Sequence, residues 1–172
     1  MAYATSIFEI DYDYFKQQGI TTLFFDLDNT IIHYDETQLD EIRLKFLQNL
    51  SQKFKVLIIS NSRKARVKPA VGQYFEYVSF ATKPFKRGFK KALKQTDSLV
   101  DKTIVIGDQL LTDILGANKL GIKSILVKPV ASKTDRIYTR FNRRREEKVI
   151  KKIKNNLPEK YQEVILPYEA AK

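Results

Sequence analysis

Five short apolar runs, each closed by a polar or turn-forming residue, constrain the fold of this chain more than any other feature. Thr21–Phe25 ends at Asp26, Val56–Ile59 at Ser60, and Thr103–Ile106 at Gly107-Asp108. Tyr77–Phe80 leads to Lys83, and Ile122–Val127 is closed by Pro129. Runs this short, apolar without alternation, are the pattern of strands covered on both faces. Between them, apolar residues recur at helical spacing. Leu39, Ile42, Phe46, Leu47 and Leu50 predict a helix over 39–50, and Phe89, Ala92 and Leu93 predict one over 85–94. Further helices are expected over 64–74, where Pro69 is an obstacle, and over 110–120, stopped near Gly121. Strands alternating with helices predict an α/β fold around a parallel sheet. Residues 1–19 read as a mixed lead-in. After Pro129 the chain turns strongly basic. It is therefore divided into a domain over 1–130 and a basic, helical extension over 131–172, packed on that domain or projecting from it.

The 172 residues suit one hydrophobic core. No apolar run approaches the roughly 18 residues of a membrane span. Met1-Ala2-Tyr3-Ala4-Thr5 lacks the basic and apolar regions of a signal peptide, so a cytoplasmic location is expected. The absence of cysteine excludes disulfides and thiolate-bound zinc. Thirty-one Lys and Arg against twenty Asp and Glu leave a net charge of +11. That balance favours nucleic acid, anionic lipid or acidic substrates as partners, or else a solvated lysine-rich surface.

Polar groups gather where the runs stop. Asp26, Asp28 and Thr30 follow the first, Ser60 and Asn61 the second, and Lys83 the third; Asp108 follows the fourth, with Asp113 five residues on. A parallel sheet brings these carboxyl ends to one edge, where ligands bind. Carboxylates converging without cysteine or clustered histidine suit a hard cation with oxygen ligands, Mg²⁺ foremost. A cation, a lysine and a hydroxyl together suit a phosphoryl group. A carboxylate can attack phosphorus covalently, and a second, two residues away, can protonate the leaving oxygen. The bland readings are turn and cap chemistry for Asp-Asn-Thr and Ser-Asn, and solvated faces for Lys83 and Asp113. His33, the single histidine, reads as a loop residue.

These segments resemble the four motifs of the haloacid dehalogenase (HAD) superfamily. Asp26-Leu27-Asp28-Asn29-Thr30 resembles the first, Ser60 the second, Lys83-Pro84 the third, and Gly107-Asp108 through Asp113 the fourth. The resemblance implies a doubly wound, Rossmann-like, five-stranded sheet. It implies Asp26 as nucleophile and metal ligand, and Asp28 as general acid/base that also offers its backbone carbonyl to Mg²⁺. It implies Ser60, with Asn61, as phosphoryl-binding residues, and Lys83 as the group that neutralises the phosphoryl charge and orients Asp26. Asp108 is implied as the third protein ligand, with Asp113 behind the ligands. A side-chain acid at Asp28 resembles the phosphatases of the superfamily rather than its dehalogenases.

Neither residues 31–59 nor 61–82 are numerous enough to hold an inserted cap domain. An open site suits a phosphate on a macromolecule or at a bilayer, as in the capless subclass III. The stretch from Arg136 to Lys154 carries nine Lys or Arg (Arg136, Arg140, Arg143, Arg144, Arg145, Lys148, Lys151, Lys152 and Lys154) and two Glu. Ile137, Phe141, Val149, Ile153 and Leu157 fall on one helical stripe, with Tyr138 and Ile150 alongside and Arg145 interrupting. Such a helix can lie on anionic lipid, grip RNA, or pack its stripe on the domain. With Ser6-Ile7, Ile10-Asp11 and Gly19-Ile20, the chain as a whole resembles the YqeG-type group of subclass IIIA, related to phosphatidylglycerophosphate phosphatases. That implies removal of the terminal phosphate of phosphatidylglycerophosphate at the inner membrane face. The alternatives are a phosphatase for a nucleotide, sugar phosphate or phosphoprotein, and a non-enzymatic RNA- or ribosome-associated module.

Overall fold

The computed structural model describes residues 1–130 and 137–171, without the side chains of 137–144. Six strands form one wholly parallel sheet: β1 Ala2–Ala4, β2 Thr22–Phe25, β3 Lys55–Ile59, β4 Glu76–Val78, β5 Thr103–Gly107 and β6 Lys123–Val127. Their order is β1-β6-β5-β2-β3-β4. Five of them occupy the five apolar runs. The additional strand, β1, is too short and mixed in composition to register as a run. It forms because its backbone groups pair beside β6, with Ala2 opposite Ile125 and Ala4 opposite Val127.

The helices are α1 Tyr12–Gln17, α2 Glu41–Ser51, α3 Lys64–Val71, α4 Lys86–Gln95 and α5 Leu115–Asn118. After them come α6 Ile137–Asn156, α7 Pro158–Lys160 and α8 Leu166–Ala170. Asp40 sets the start of α2, its carboxylate accepting the Arg43 N–H at 2.7 Å. Side chains of the central strand alternate between two apolar layers. Leu23 and Phe25 pack in one layer with Tyr12, Leu47, Leu50 and Val67. Phe24 packs in the other with Phe89, Ala92 and Ala117. Burial of each such side chain contributes about 1.5–3 kcal/mol.

The connectivity positions the site. From β2 the chain steps to β3 and β4 on one side, then returns to β5 on the other flank of β2. The strand order therefore reverses between β2 and β5, and the crevice of a doubly wound sheet opens at their carboxyl ends. Phe25 pairs with Ile106, and the Asp26 N–H donates to the Ile106 carbonyl at 2.9 Å. Between the first and second motifs stand α2 and β3, and between the second and third α3 and β4, with no inserted cap in either described interval.

Three segments depart from periodicity. The third run, expected as a strand to Phe80, leaves the sheet at Val78, and Phe80 takes φ 50°. The Ala81 N–H turns back to the Ser60 carbonyl at 2.9 Å, which carries the chain towards the crevice. The helix expected over 110–120 is split. A wide turn over Leu110–Ile114 precedes α5, and the Gln109 carbonyl accepts from both Asp113 and Ile114. Such one-residue expansions recur at functional sites. In the C-terminal extension, Ile150, Tyr161, Val164, Ile165 and Tyr168 pack against Leu110, Ile114 and Leu126 in a third apolar cluster. Of the expected stripe, Ile150 is buried, and Val149 and Ile153 are half-buried. Leu157 is 56% exposed, because α6 stops at Asn156 and the chain turns away. The side chains of Arg136, Ile137, Tyr138, Arg140, Phe141, Arg143 and Arg144 lie outside the described residues.

Candidate active site

Asp26, the first residue past β2, is buried at the β2–β5 crevice. Beside it lies Asp108, the first residue past β5, also buried. Asp113 joins them: one carboxylate oxygen from each of Asp26, Asp108 and Asp113 lies within 4.8 Å of the others. Asp113, expected behind the ligands, reaches this cluster from the wide turn over Leu110–Ile114. Its Oδ2 accepts the Gln109 N–H at 3.2 Å and the Thr112 hydroxyl at 3.3 Å. Gly107 makes that approach feasible, since a β-carbon there would stand 2.4 Å from the Asp113 Cγ.

Lys83 enters from the loop after β4. Its Nζ donates to Asp26 Oδ1 at 2.6 Å, Asp113 Oδ1 at 2.6 Å and the Ile59 carbonyl at 2.8 Å. Its side chain is 2% exposed. Asn61 fixes this loop. Its Oδ1 accepts the Lys83 N–H at 2.6 Å, and its Nδ2 donates to the Lys83 carbonyl at 3.0 Å. Asn61, expected among the phosphoryl-binding residues, thus commits its amide to the Lys83 backbone. Ser60 is buried at the end of β3, its hydroxyl oxygen accepting the Ser62 N–H at 3.0 Å. The Thr30 hydroxyl lies 3.5 Å from Asp26 Oδ2 and 3.3 Å from Asp108 Oδ1, bridging the two carboxylates.

Asp28 stands apart from the triad. The Ser62 hydroxyl donates to its Oδ2 at 2.6 Å, and Arg66 in α3 reaches its Oδ1 through Nη2 at 2.9 Å and Nε at 3.1 Å. Arg66 is itself placed by the His33 carbonyl at 3.2 Å and by the Tyr34 ring, 5.5 Å away. His33 sits in the loop after the first motif and contributes its backbone.

Among the described residues, three buried carboxylates crowd around the buried Lys83 ammonium, and that crowding shapes the electrostatics. Burial pushes the Asp26 carboxyl well up; Lys83 draws it back, and Asp113, Asp108 and Asp28 raise it further. Burial acts to lower the Lys83 ammonium, but Asp113 and Asp26 outweigh it and the net shift is upward. Clustered buried carboxylates are costly to keep ionised, so such a cluster favours retaining a proton or taking up a cation. Oxygen-only donors, converging within one ion's reach, fit a hard divalent cation such as Mg²⁺.

Sequence reasoning missed a second set of residues behind Asp108. Glu146 in α6 is buried, and its Oε1 accepts the Leu110 N–H at 2.7 Å. The Tyr168 hydroxyl lies 3.3 Å from the Asp108 carbonyl and 3.4 Å from Glu146 Oε2. The signal that could have found Glu146 is its i, i+4, i+7 spacing with Ile150 and Ile153, a face in which it replaces an apolar residue. Ser62 and Arg66 were masked by the surrounding basic residues. Tyr168 carried no signal.

Comparison with known proteins agrees with this geometry. Residues 80–155 match the HAD-hydrolase-like family. The Bacillus subtilis (strain 168) protein named "Probable phosphatase YqeG" is 35% identical over 156 residues, spanning 88% of this chain and 89% of that protein. A crystal structure of an uncharacterized protein from Listeria monocytogenes serotype 4b shares the fold. It has TM-score 0.51 and 24% identity, and covers 62% of this chain and 78% of its own. The chain therefore belongs to the HAD superfamily of hydrolases, as a YqeG-type phosphatase.

Proposed function

We propose that this phosphatase hydrolyses a phosphomonoester at the β2–β5 crevice through an aspartyl-phosphate on Asp26, with Mg²⁺, and that its substrate is phosphatidylglycerophosphate at a membrane surface. The observation that carries the proposal is the convergence of Asp26, Asp108 and Asp113 on one point with Lys83 bonded into it. Asp26, Asp108 and the Asp28 carbonyl would hold the cation, which offsets charge on the phosphoryl oxygens. Asp26 Oδ attacks phosphorus, and the ester P–O bond breaks with its electron pair on the leaving oxygen. Asp28, carrying a proton in the substrate-bound form and oriented by Ser62 and Arg66, gives that oxygen its proton. Water then attacks phosphorus, Asp28 takes up its proton, and the bond to Asp26 breaks to release inorganic phosphate. Ser60 and Lys83 hold the phosphoryl group; Asn61 serves by fixing Lys83.

Two properties support a lipid substrate. Among the described residues no cap encloses the site around a small metabolite, and the chain carries +11 net charge. Arg145, Lys148, Lys151, Lys152 and Lys154 of α6 are exposed and can face an anionic leaflet. The test is phosphate release from phosphatidylglycerophosphate in mixed micelles, set against nucleotides, sugar phosphates and a phosphopeptide, with Mg²⁺ or with chelator. Faster Mg²⁺-dependent release from the lipid supports the proposal. Preference for a soluble ester rejects the lipid assignment, and no release from any ester rejects the hydrolytic one.

A further inference from the structure

A second concentration of positive charge lies outside the C-terminal extension. Residues 60–94 hold ten Lys or Arg against a single acid, Glu76. Arg63, Lys64, Lys68, Lys86, Arg87, Lys90, Lys91 and Lys94 are all exposed, and none pairs with a carboxylate among the described residues. In the same segment Phe80 is 69% exposed and Phe85 67%. These rings flank Lys83 in the loop that delivers it to the site, so they stand at the rim of the crevice. Their backbone is ordered: the Phe80 N–H donates to the Ser62 carbonyl at 2.8 Å, and the Phe85 N–H to the Thr82 carbonyl at 2.9 Å. Phe80 and Thr82 take φ 50° and 56°, a left-handed conformation that bulky residues seldom adopt. Basic groups surround the rings. Arg63 and Lys64 adjoin Ser62, Lys86 and Arg87 follow Phe85, and Lys119 Nζ lies 5.8 Å from the Phe85 ring centre.

We propose that Phe80 and Phe85, with Arg63, Lys64, Lys86, Arg87 and Lys119, form the face that docks this enzyme on an anionic bilayer. The proposal rests on the lipid-phosphatase reading and specifies which surface serves it. Aromatic rings ringed by cations are the composition that enters the headgroup boundary of anionic membranes. Because the rings flank Lys83, the face that inserts is also the face that reacts, and a headgroup phosphate would meet the crevice without leaving the bilayer. Basic and aromatic groups also serve single-stranded nucleic acid, but there the rings stack bases along a groove. Here they project from loops.

The chain contains no tryptophan, which permits a direct test with the full-length protein. Phe80→Trp and Phe85→Trp are compared with Leu99→Trp, a 67% exposed control just before β5, at the amino ends of the strands and opposite the crevice. Each is titrated with phosphatidylcholine vesicles, with vesicles containing phosphatidylglycerol, and with single-stranded RNA. Expected are blue-shifted emission at 80 and 85 with anionic vesicles only, and none at 99. In flotation, Phe80→Ser/Phe85→Ser should lower partition to anionic vesicles roughly tenfold per ring, with turnover of a soluble aryl phosphate unchanged. Lys148→Glu/Lys152→Glu in α6 should lower it less. Unshifted emission at 80 and 85, equal shifts at 99, a shift with RNA alone, or stronger loss from the α6 variant would each overturn the docking face. Release of phosphate from lipid in micelles does not require docking. Its loss would reject the substrate instead, so the two failures are distinguishable.

Discussion

Tyr168→Ala is expected to unfold the chain at a markedly lower temperature and to loosen the active site at a distance. Tyr168 is among the largest fully buried side chains, and its ring meets that of Tyr3 edge-on, centroids 6.1 Å apart. Truncating a buried aromatic of this kind costs about 3–5 kcal/mol, by lost burial and the cavity left behind. For a chain of this size, each kcal/mol moves the unfolding midpoint by about 2–4 °C, so a drop of about 6–20 °C is expected. Tyr168→Phe keeps the ring and removes only the hydroxyl that reaches the Asp108 carbonyl and Glu146. It should cost about 1 kcal/mol, hence about 2–4 °C. Thermal unfolding followed by circular dichroism separates the two variants, and Mg²⁺ titration of Tyr168→Phe reads the effect on Asp108. A Tyr168→Ala midpoint within about 2 °C of wild type would mean that the C-terminal extension does not dock on the sheet, refuting the reasoning.

Arg66→Ala frees Asp28 from its guanidinium partner and should lower kcat by about 10–100-fold through misplacement, with a smaller change in KM. Arg66→Lys should not restore it, lacking the two-pronged geometry; a wild-type kcat in Arg66→Ala would reject the positioning role. Gly107→Ala drives a β-carbon into Asp113 and should destabilise the fold by about 1–3 kcal/mol while weakening Mg²⁺ binding, read by calorimetry. The raised Asp26 carboxyl makes the metal-free protein pH-sensitive in a defined direction. A folded-state value above the unfolded one, about 4, stabilises fully below that pH and is lost as pH rises through the folded value. At the proposed site Mg²⁺ would displace that proton, so the rise in melting temperature it confers should grow with pH over the same window. A rise that shrinks as pH increases would contradict the assignment.

Much of this was legible because the runs before Asp26, Ser60 and Asp108 are buried on both faces and leave no ambiguity of register. A parallel sheet brings their ends together whatever the loops do. What escaped depends on features without a period. β1 is held by pairing with β6 rather than by its own composition. Phe80 looks like the end of a strand, yet the turn back to Ser60 sends its ring outward. The turn over Leu110–Ile114 holds one residue more than a regular helical turn, which a helical count cannot foresee, and it sets the face on which Asp113 meets Lys83. Glu146 appears in sequence as one charge in a basic helix, and only docking of α6 on Leu110 buries it. Arg66 is one basic residue among many, and its pairing with Asp28 arises from the approach of α3 to the first motif.

The most direct measurement is acid-quenched peptide mass spectrometry of the enzyme after brief exposure to an aryl phosphate. With Mg²⁺, one phosphoryl group should appear on the peptide carrying Asp26, and it should vanish with chelator and in Asp26→Asn, along with turnover. A phosphoryl group on another residue, or undiminished turnover by Asp26→Asn, would contradict the assignment of the β2–β5 crevice as the place where phosphorus is captured.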